Sequence, residues 1–231
     1  RGDATARGGV YVARECAKAY GVDLKGKAVA IQGFGNAGQF AATLSEEILG
    51  MKVVAVSDSM GGIYIPEGVS AQKLVDYKLA NGTIVGFPGA KAITNDELLA
   101  LDVCMLVPAA LENTITTATA PTVKAKFVCE LANGPTTPEA DEILNAKGVI
   151  VMPDYLANAG GVTVSYFEQC QNAQNYYWEL EEVHKRLDQK MTNAFKAVYE
   201  MAVEKKTSLR DAAYLVAIKR VADAMKLRGW C

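Results

Sequence analysis

The sequence has 231 residues, half of them apolar and 22% charged, and its net charge is −2. That length buries one large α/β core or two small ones, and the near-neutral charge, with no basic run interleaved with aromatics, argues against nucleic acid or an anionic membrane as partner. Five scattered cysteines (Cys16, Cys104, Cys129, Cys170 and Cys231) form no CxxC pair, which predicts reduced thiols in a cytoplasmic setting, and no stretch of about 18 apolar residues or signal peptide suggests insertion or export.

The chain opens on Arg1 rather than methionine, as expected of a processed product or of a domain from something longer. A helical pattern over residues 5–20 closes at Gly21. The apolar run Lys27-Ala28-Val29-Ala30-Ile31-Gln32 is of strand length, residues 37–49 read as a helix closed by Gly50, and Val53-Val54-Ala55-Val56-Ser57 is a second apolar strand. Near-continuous apolar strands predict a parallel sheet covered on both faces. Residues 70–79 read as a helix ended by Asn81-Gly82. Thr94-Asn95-Asp96-Glu97 has the form of a capping box. Strands follow at 103–107, 127–130 and 149–152, and Thr137-Pro138 opens a helix reaching Ala146. From Gly160 onward the pattern is helical, over 162–174, 177–206 and 209–228. The fold class is therefore α/β, a doubly wound, mostly parallel Rossmann-like sheet of about six strands followed by C-terminal helices. Its parts are a leading helix (1–21), a Rossmann core (27–157) and a helical region (160–231).

Between the first strand and its helix stands Gly33-Phe34-Gly35-Asn36-Ala37-Gly38. A lone GxGxxG is a weak signal, but this one follows an apolar strand, opens an amphipathic helix and has an acid at the end of the next strand. Gly33 permits the tight turn, Gly35 admits a pyrophosphate to the backbone, and Gly38 lets helix and strand approach. The amides at the helix start face the phosphate charge. Asp58, just after Ser57, is placed to accept hydrogen bonds from an adenosine ribose. Its carboxylate repels a 2′-phosphate, and Ser59-Met60-Gly61-Gly62 offers no cation to hold one, so NAD is favoured. NADP stays open should a lysine or arginine reach this end from elsewhere in the fold.

Two further loops, Ala132-Asn133-Gly134-Pro135 and Asn158-Ala159-Gly160-Gly161, follow strands where open α/β sheets bind ligands. On composition alone their Asn and Gly are turn formers and caps. Ser165, on the helix that follows, either meets a substrate or bonds back to a helix carbonyl, the commoner outcome. His184, the single histidine, lies in a charged helical stretch and reads as a solvated surface residue. Tyr176-Tyr177-Trp178 reads as packing at the start of a long amphipathic helix. These residues alone yield no catalytic pair and no metal-ligand cluster.

Ala4-Thr5-Ala6-Arg7-Gly8-Gly9, the Gln32–Gly38 turn, Ala132 to Asp141 and Asn158 to Glu168, taken together and in order, resemble the C-terminal half of hexameric glutamate dehydrogenases. The resemblance implies an oxidoreductase that deaminates L-glutamate to 2-oxoglutarate and ammonia, passing hydride to NAD(P), and a full-length homo-hexamer. It implies that Thr5 and Asn36 contact the dinucleotide, with Ala109 and Ala110 of the Pro108-Ala109-Ala110 segment. Asn133 is implied beside the nicotinamide ribose, Asn158 near the nicotinamide, and Val162 and Ser165 in the substrate pocket, Ser165 on the distal carboxylate. In that family the catalytic lysine and aspartate belong to a separate N-terminal domain, so no catalytic residue is expected in this chain and the chain alone is expected to be inactive. The last two helices are expected to leave apolar faces exposed. Two other readings remain: the cofactor domain of a branched-chain or aromatic amino-acid dehydrogenase, against which Ser165 argues, and a non-catalytic dinucleotide-sensing module.

Overall fold

The structure, a computed structural model, describes residues 1–230; Cys231 lies outside the described residues. In chain order the elements are α1 (Ala4–Ala19), β1 (Ala28–Gln32), α2 (Asn36–Leu49), β2 (Lys52–Asp58), β3 (Gly61–Tyr64), α3 (Ala71–Asn81), β4 (Lys91–Ile93), α4 (Asn95–Leu99), β5 (Met105–Pro108), β6 (Phe127–Cys129), α5 (Pro138–Ala146), β7 (Ile150–Met152), α6 (Asp154–Ala157), α7 (Gly160–Gln174), α8 (Leu180–Lys205) and α9 (Leu209–Leu227). The local signals act where the sequence puts them. Gly50 and Gly82 close α2 and α3 in the left-handed conformation. Thr94 and Glu97 form the capping box, and the Thr137 side chain accepts from Ala140 N–H.

All seven strands join one sheet in the order β4-β3-β2-β1-β5-β6-β7. The five from β2 to β7 run parallel, whereas β3 and β4 pair antiparallel at one edge. The doubly wound reading holds, with one correction. The sheet has seven strands rather than about six, because a strand begins at Gly61 and a short return strand at 91–93 completes the edge. Gly62 is small because Ile93 lies across it: a Cβ there would stand 3.1 Å from the Ile93 side chain and carbonyl. Lys91 and Ala92 are exposed, so β4 has no apolar run to announce it.

Each sheet face buries its own core. Val29, Ile31, Val53 and Val56 lie on the side covered by α1, α2 and α8. Ala30, Val54, Ala55 and Leu106 lie on the other, under α4 and α5. Burial on both faces is why these strands are apolar throughout instead of alternating. The Arg14 guanidinium fastens α1 to α8 with a two-pronged contact to Asp188, at 2.9 and 2.5 Å. No helix among the described residues is long and apolar enough to cross a membrane.

α8 begins at Leu180, so Tyr176, Tyr177 and Trp178 lie in the connector after Asn175, which closes α7 at φ 50°. Tyr176 and Tyr177 are exposed, while Trp178 packs on Phe167 at 5.6 Å beneath the Arg186 guanidinium. The exposed apolar face expected at the C-terminal end is present on α9, where Ile218 and Val221 are more than 60% exposed.

Candidate functional site

β1 sits where the sheet reverses direction: the chain passes to β2 on one side and returns to β5 on the other. A crevice opens above the carboxyl ends of these strands, the position where open α/β sheets hold ligands. The Gly33–Gly38 turn rises from β1 into it, and its three glycines do different things. Gly33 has φ +93°, and a Cβ there would come within 2.5 Å of Ala110. A Cβ on Gly38 would overlap the Gly33 carbonyl, so Gly38 sets how closely α2 meets the turn. At Gly35 a Cβ would meet nothing, because the position opens onto the crevice.

Other residues of the motif support this shape. Ser57, 2% exposed, accepts a hydrogen bond from Gly33 N–H at 3.2 Å and turns toward Asn95 at 3.4 Å, so it holds the turn from beneath. Phe34 is completely buried, and Ala37 is half-buried in the first turn of α2. Gly35 gives α2 no capping side chain, which leaves the first amides of the helix for an anion. Gln32 is 8% exposed and lines the crevice, yet its Oε1 has no hydrogen-bond partner. A buried acceptor without a partner costs free energy unless a ligand supplies one. An open face at Gly35, uncapped amides and an orphan acceptor fit a dinucleotide bound across the turn.

The start of α2 divides the crevice in two. On one side a cleft of about 460 Å³ runs from Gln32 past Gly35 to Asp58, Ser59 and Lys78, with Ala109 and Ala110 as its opposite wall. Asp58 is an inner residue here, its side chain only 6% exposed. Its Oδ1 accepts from Met60 N–H at 2.9 Å, and its Oδ2 from Ile84 N–H and the Thr83 hydroxyl, both at 2.9 Å. Burial pushes its pKa up, but these two N–H groups, the hydroxyl and the Lys78 charge outweigh that and hold it below the ordinary aspartate value. With its oxygens so occupied, Asp58 ties the end of β2 to the 83–85 segment. Lys78, reaching in from α3, was not identified from the sequence. Its only link to the motif is spatial, twenty residues beyond Asp58.

On the other side a groove of about 720 Å³ gathers Thr5, Asn36, Asn133, Asn158, Val162 and Ser165. The two Asn-Gly loops meet here: Asn158 Nδ2 donates to Asn133 Oδ1 at 2.7 Å. Asn36 Nδ2 donates to Gly2 carbonyl at 2.9 Å, tying α2 to the start of the chain. Val162 is 70% exposed, and the Ser165 hydroxyl donates back to Gly161 carbonyl at 3.1 Å while still lining the groove. Gly160 and Gly161 are helical residues of α7 rather than turn formers. A Cβ on Gly160 would overlap the Ala4 carbonyl, and one on Gly161 would stand 2.5 Å from Thr5 Oγ1. Their lack of side chains lets α7 cross α1 closely enough to bring Thr5 and Ser165 into one groove.

Behind the Asn133 loop lies a buried ionic cluster that the sequence did not announce. Glu130, with no exposure, follows β6 and accepts from Arg210 of α9 at 2.7 Å and from Asp154 N–H at 2.9 Å. Burial raises the Glu130 carboxyl above the usual range, against the pull of Arg210. Arg210 Nε also stands 3.1 Å from Asp141, close enough for an ion pair but misaligned for a hydrogen bond, and Nη1 stands 3.6 Å from Asp154. Asp154 in turn accepts from Gly134 N–H at 2.8 Å. One arginine thus anchors the loop that carries Asn133. His184, expected to be solvated, is half-buried instead. Its Nε2 lies 3.8 Å from Asp3, and burial together with Arg7 lowers its pKa.

Residues 1–229 match the profile of the family described as glutamate/leucine/phenylalanine/valine dehydrogenase. The chain is 53% identical to a glutamate dehydrogenase of Thermotoga maritima over 99% of its own length and 55% of that relative's. It is 47% identical to an NAD-specific glutamate dehydrogenase of Clostridioides difficile, covering 98% of this chain and 55% of the relative. Among solved structures it superimposes on the hetero-hexameric glutamate dehydrogenase of Thermus thermophilus with a TM-score of 0.92 at 36% identity, covering 99% of this chain and 54% of the other. The chain spans about half the length of the curated relatives it matches.

Proposed function

The chain belongs to the glutamate/leucine/phenylalanine/valine dehydrogenase family, and on that premise we propose that it forms the dinucleotide-binding half of a glutamate dehydrogenase, converting L-glutamate to 2-oxoglutarate and ammonia with NAD. The observation that carries this reading is the pair of clefts that flank the start of α2, one reaching from Asp58 to the open face of Gly35 and the other holding Asn133, Asn158 and Ser165. Together they mark one path across the glycine turn. The dinucleotide lies along this path, its pyrophosphate over Gly35 and the start of α2. Gln32, Ala109 and Ala110 hold its adenosine side, and Thr5, Asn36, Asn133 and Asn158 its nicotinamide side. When bound, the nicotinamide supplies the hydride acceptor. The chain's own residues orient it: Asn158, fixed by its bond to Asn133, presents an amide that donates and accepts.

Val162 and Ser165 extend the groove beyond that point and face the amino acid. Ser165 favours glutamate over an apolar substrate, because a hydroxyl there answers a distal carboxylate once it turns from Gly161 carbonyl. A purely sensing module has no use for a polar position past the nicotinamide. Assembly as a hexamer with the remainder of a longer chain is supported by the hexameric state named for the Thermus relative. A cytoplasmic setting is supported by the buried free thiols, of which Cys129 is pushed up to about 12 by burial.

Oxidation of an amine needs a group to take up protons. The residues lining the Asn133–Ser165 groove are small, amide, hydroxyl or aliphatic, with Arg1 as the charged one, and include no carboxylate, imidazole or lysine side chain. This chain assayed alone is therefore expected to bind NADH and to leave glutamate oxidation at background. Sustained reduction of NAD by this chain with glutamate would overturn the assignment of a half-site.

A further inference from the structure

The sequence holds two Asn-Gly pairs, Asn81-Gly82 and Asn133-Gly134, both exposed. We infer that the second is a modification site: Asn133 deamidates through attack by the Gly134 nitrogen on its side-chain amide, with Asp154 and Asn158 promoting the step. Gly134 has no Cβ to hinder the approach, and even an added one would meet no other atom. Its N–H donates to Asp154 Oδ2 at 2.8 Å, so a carboxylate is in place to take the proton as the nitrogen attacks. Asn158 Nδ2 donates to Asn133 Oδ1 at 2.7 Å and stabilises the negative charge that gathers there during the attack. The orientation of that contact is fixed, because the same Nδ2 also donates to Leu131 carbonyl at 3.4 Å. A carbonyl only accepts, so Asn158 turns its nitrogen this way and Asn133 answers with its oxygen.

The reaction needs no oxidant or reductant. The Gly134 nitrogen bonds to Cγ of Asn133 and gives its proton to Asp154, closing a cyclic imide. The Cγ–Nδ2 bond breaks, and ammonia leaves with that proton. Solvent water then opens the imide at either carbonyl, leaving aspartate or isoaspartate at 133. Asn81 supplies the contrast. It is the last residue of α3, and Gly82 N–H is held at 2.7 Å by a neutral acceptor, Lys78 carbonyl. Its Nδ2, the group that must leave, donates to Tyr77 carbonyl at 2.8 Å. The consequence for the cofactor rests on the dinucleotide reading above, which puts Asn133 on the nicotinamide side. Conversion replaces an amide that donates and accepts with a carboxylate that only accepts, so ageing of the protein erodes the cofactor site from its nicotinamide end.

The test is incubation of the folded chain at neutral pH, with peptide mass spectrometry following conversion at each pair and fragmentation separating aspartate from isoaspartate. Asn133 is expected to convert about 100-fold faster than Asn81, the low end of what a positioned base supplies. The two rates should converge once the chain is unfolded in urea. Asp154→Asn keeps an acceptor for Gly134 N–H but removes the base, and should slow Asn133 by about 100-fold while Asn81 is unchanged. Asn158→Ala removes the donor alone and should slow it by about 10-fold, the scale of one hydrogen bond. Melting curves identify which variants are folded, and each folded one is informative by itself. Equal rates at the two pairs in the folded wild type, or an unchanged rate at Asn133 in either folded variant, would overturn the site. NADH at a concentration shown by fluorescence to saturate the chain should protect Asn133 and leave the rate at Asn81 as it was. Conversion at Asn133 that is equally fast with NADH bound would overturn the placement of Asn133 on the dinucleotide, while the modification site would stand.

Discussion

Arg210→Met is expected to destabilise the chain by about 3–5 kcal/mol and to lower its melting temperature by roughly 6–20 °C. Three carboxylates converge on this one guanidinium, and Glu130 has no exposure at all. Removing the cation leaves Glu130 either charged without a partner in a buried site or protonated at the expense of the bonds it makes as an anion. Methionine fills much of the volume of the arginine stem, so the loss reports on charge and hydrogen bonding rather than on a cavity. The damage should travel. Asp154 holds Gly134 N–H and Glu130 holds Asp154 N–H, so hydrogen exchange at 133–134 and 154–158 should speed up more than exchange in β1 or β2. Arg210→Lys should recover part of the stability, because it keeps the charge without the fork that spans three partners. A melting temperature unchanged within about 2 °C in Arg210→Met would show that the cluster does not hold the loop.

Gly38→Ala is expected to cost about 2 kcal/mol, although alanine is the better helix former. A single Cβ at this position overlaps the Gly33 carbonyl, a backbone atom that cannot swing aside. Overpacking at such a site costs about 3 kcal/mol, and the helix propensity of alanine returns only about 1. For a chain of this size the difference corresponds to a fall of roughly 4–8 °C in thermal unfolding. Relief requires α2 to retreat from the turn, which moves its first amides off the phosphate path, so dinucleotide affinity should fall together with stability. An alanine variant as stable as the wild type would mean that the turn is looser than its geometry states.

Features fixed by a few neighbouring residues could be read directly from the sequence. The Thr94–Glu97 capping box, the Thr137-Pro138 helix start, the closures at Gly50 and Gly82 and the glycine turn each depend on contacts within a few positions. Apolar runs located the parallel strands because burial on both faces removes their polar alternation. What stayed hidden depends on distant partners. β4 is a three-residue edge strand defined by its pairing with β3 and not by its composition. The glycines at 160 and 161 looked like a turn, yet their role is the crossing with α1, more than 150 residues away. Lys78 and Arg210 sit on helices whose local patterns give no hint of the carboxylates they meet. Asp58 was legible as the acid at the end of the second strand. That its oxygens are already engaged follows only from the return of the chain at Thr83 and Ile84.

Gly35→Asp shows whether a dinucleotide lies across the open face of Gly35. The backbone there is extended (φ −79°, ψ −161°) at the N-cap of α2, and a Cβ meets no protein atom. Aspartate is a favoured N-cap residue and complements the helix dipole, so the variant should be as stable as the wild type or more stable by about 0.5 kcal/mol. The same side chain occupies the phosphate path and repels its charge. NADH titration followed by fluorescence should therefore show affinity reduced by more than about 100-fold in a protein of undiminished melting temperature. NADH binding equal in Gly35→Asp and wild type would place the dinucleotide away from the glycine turn.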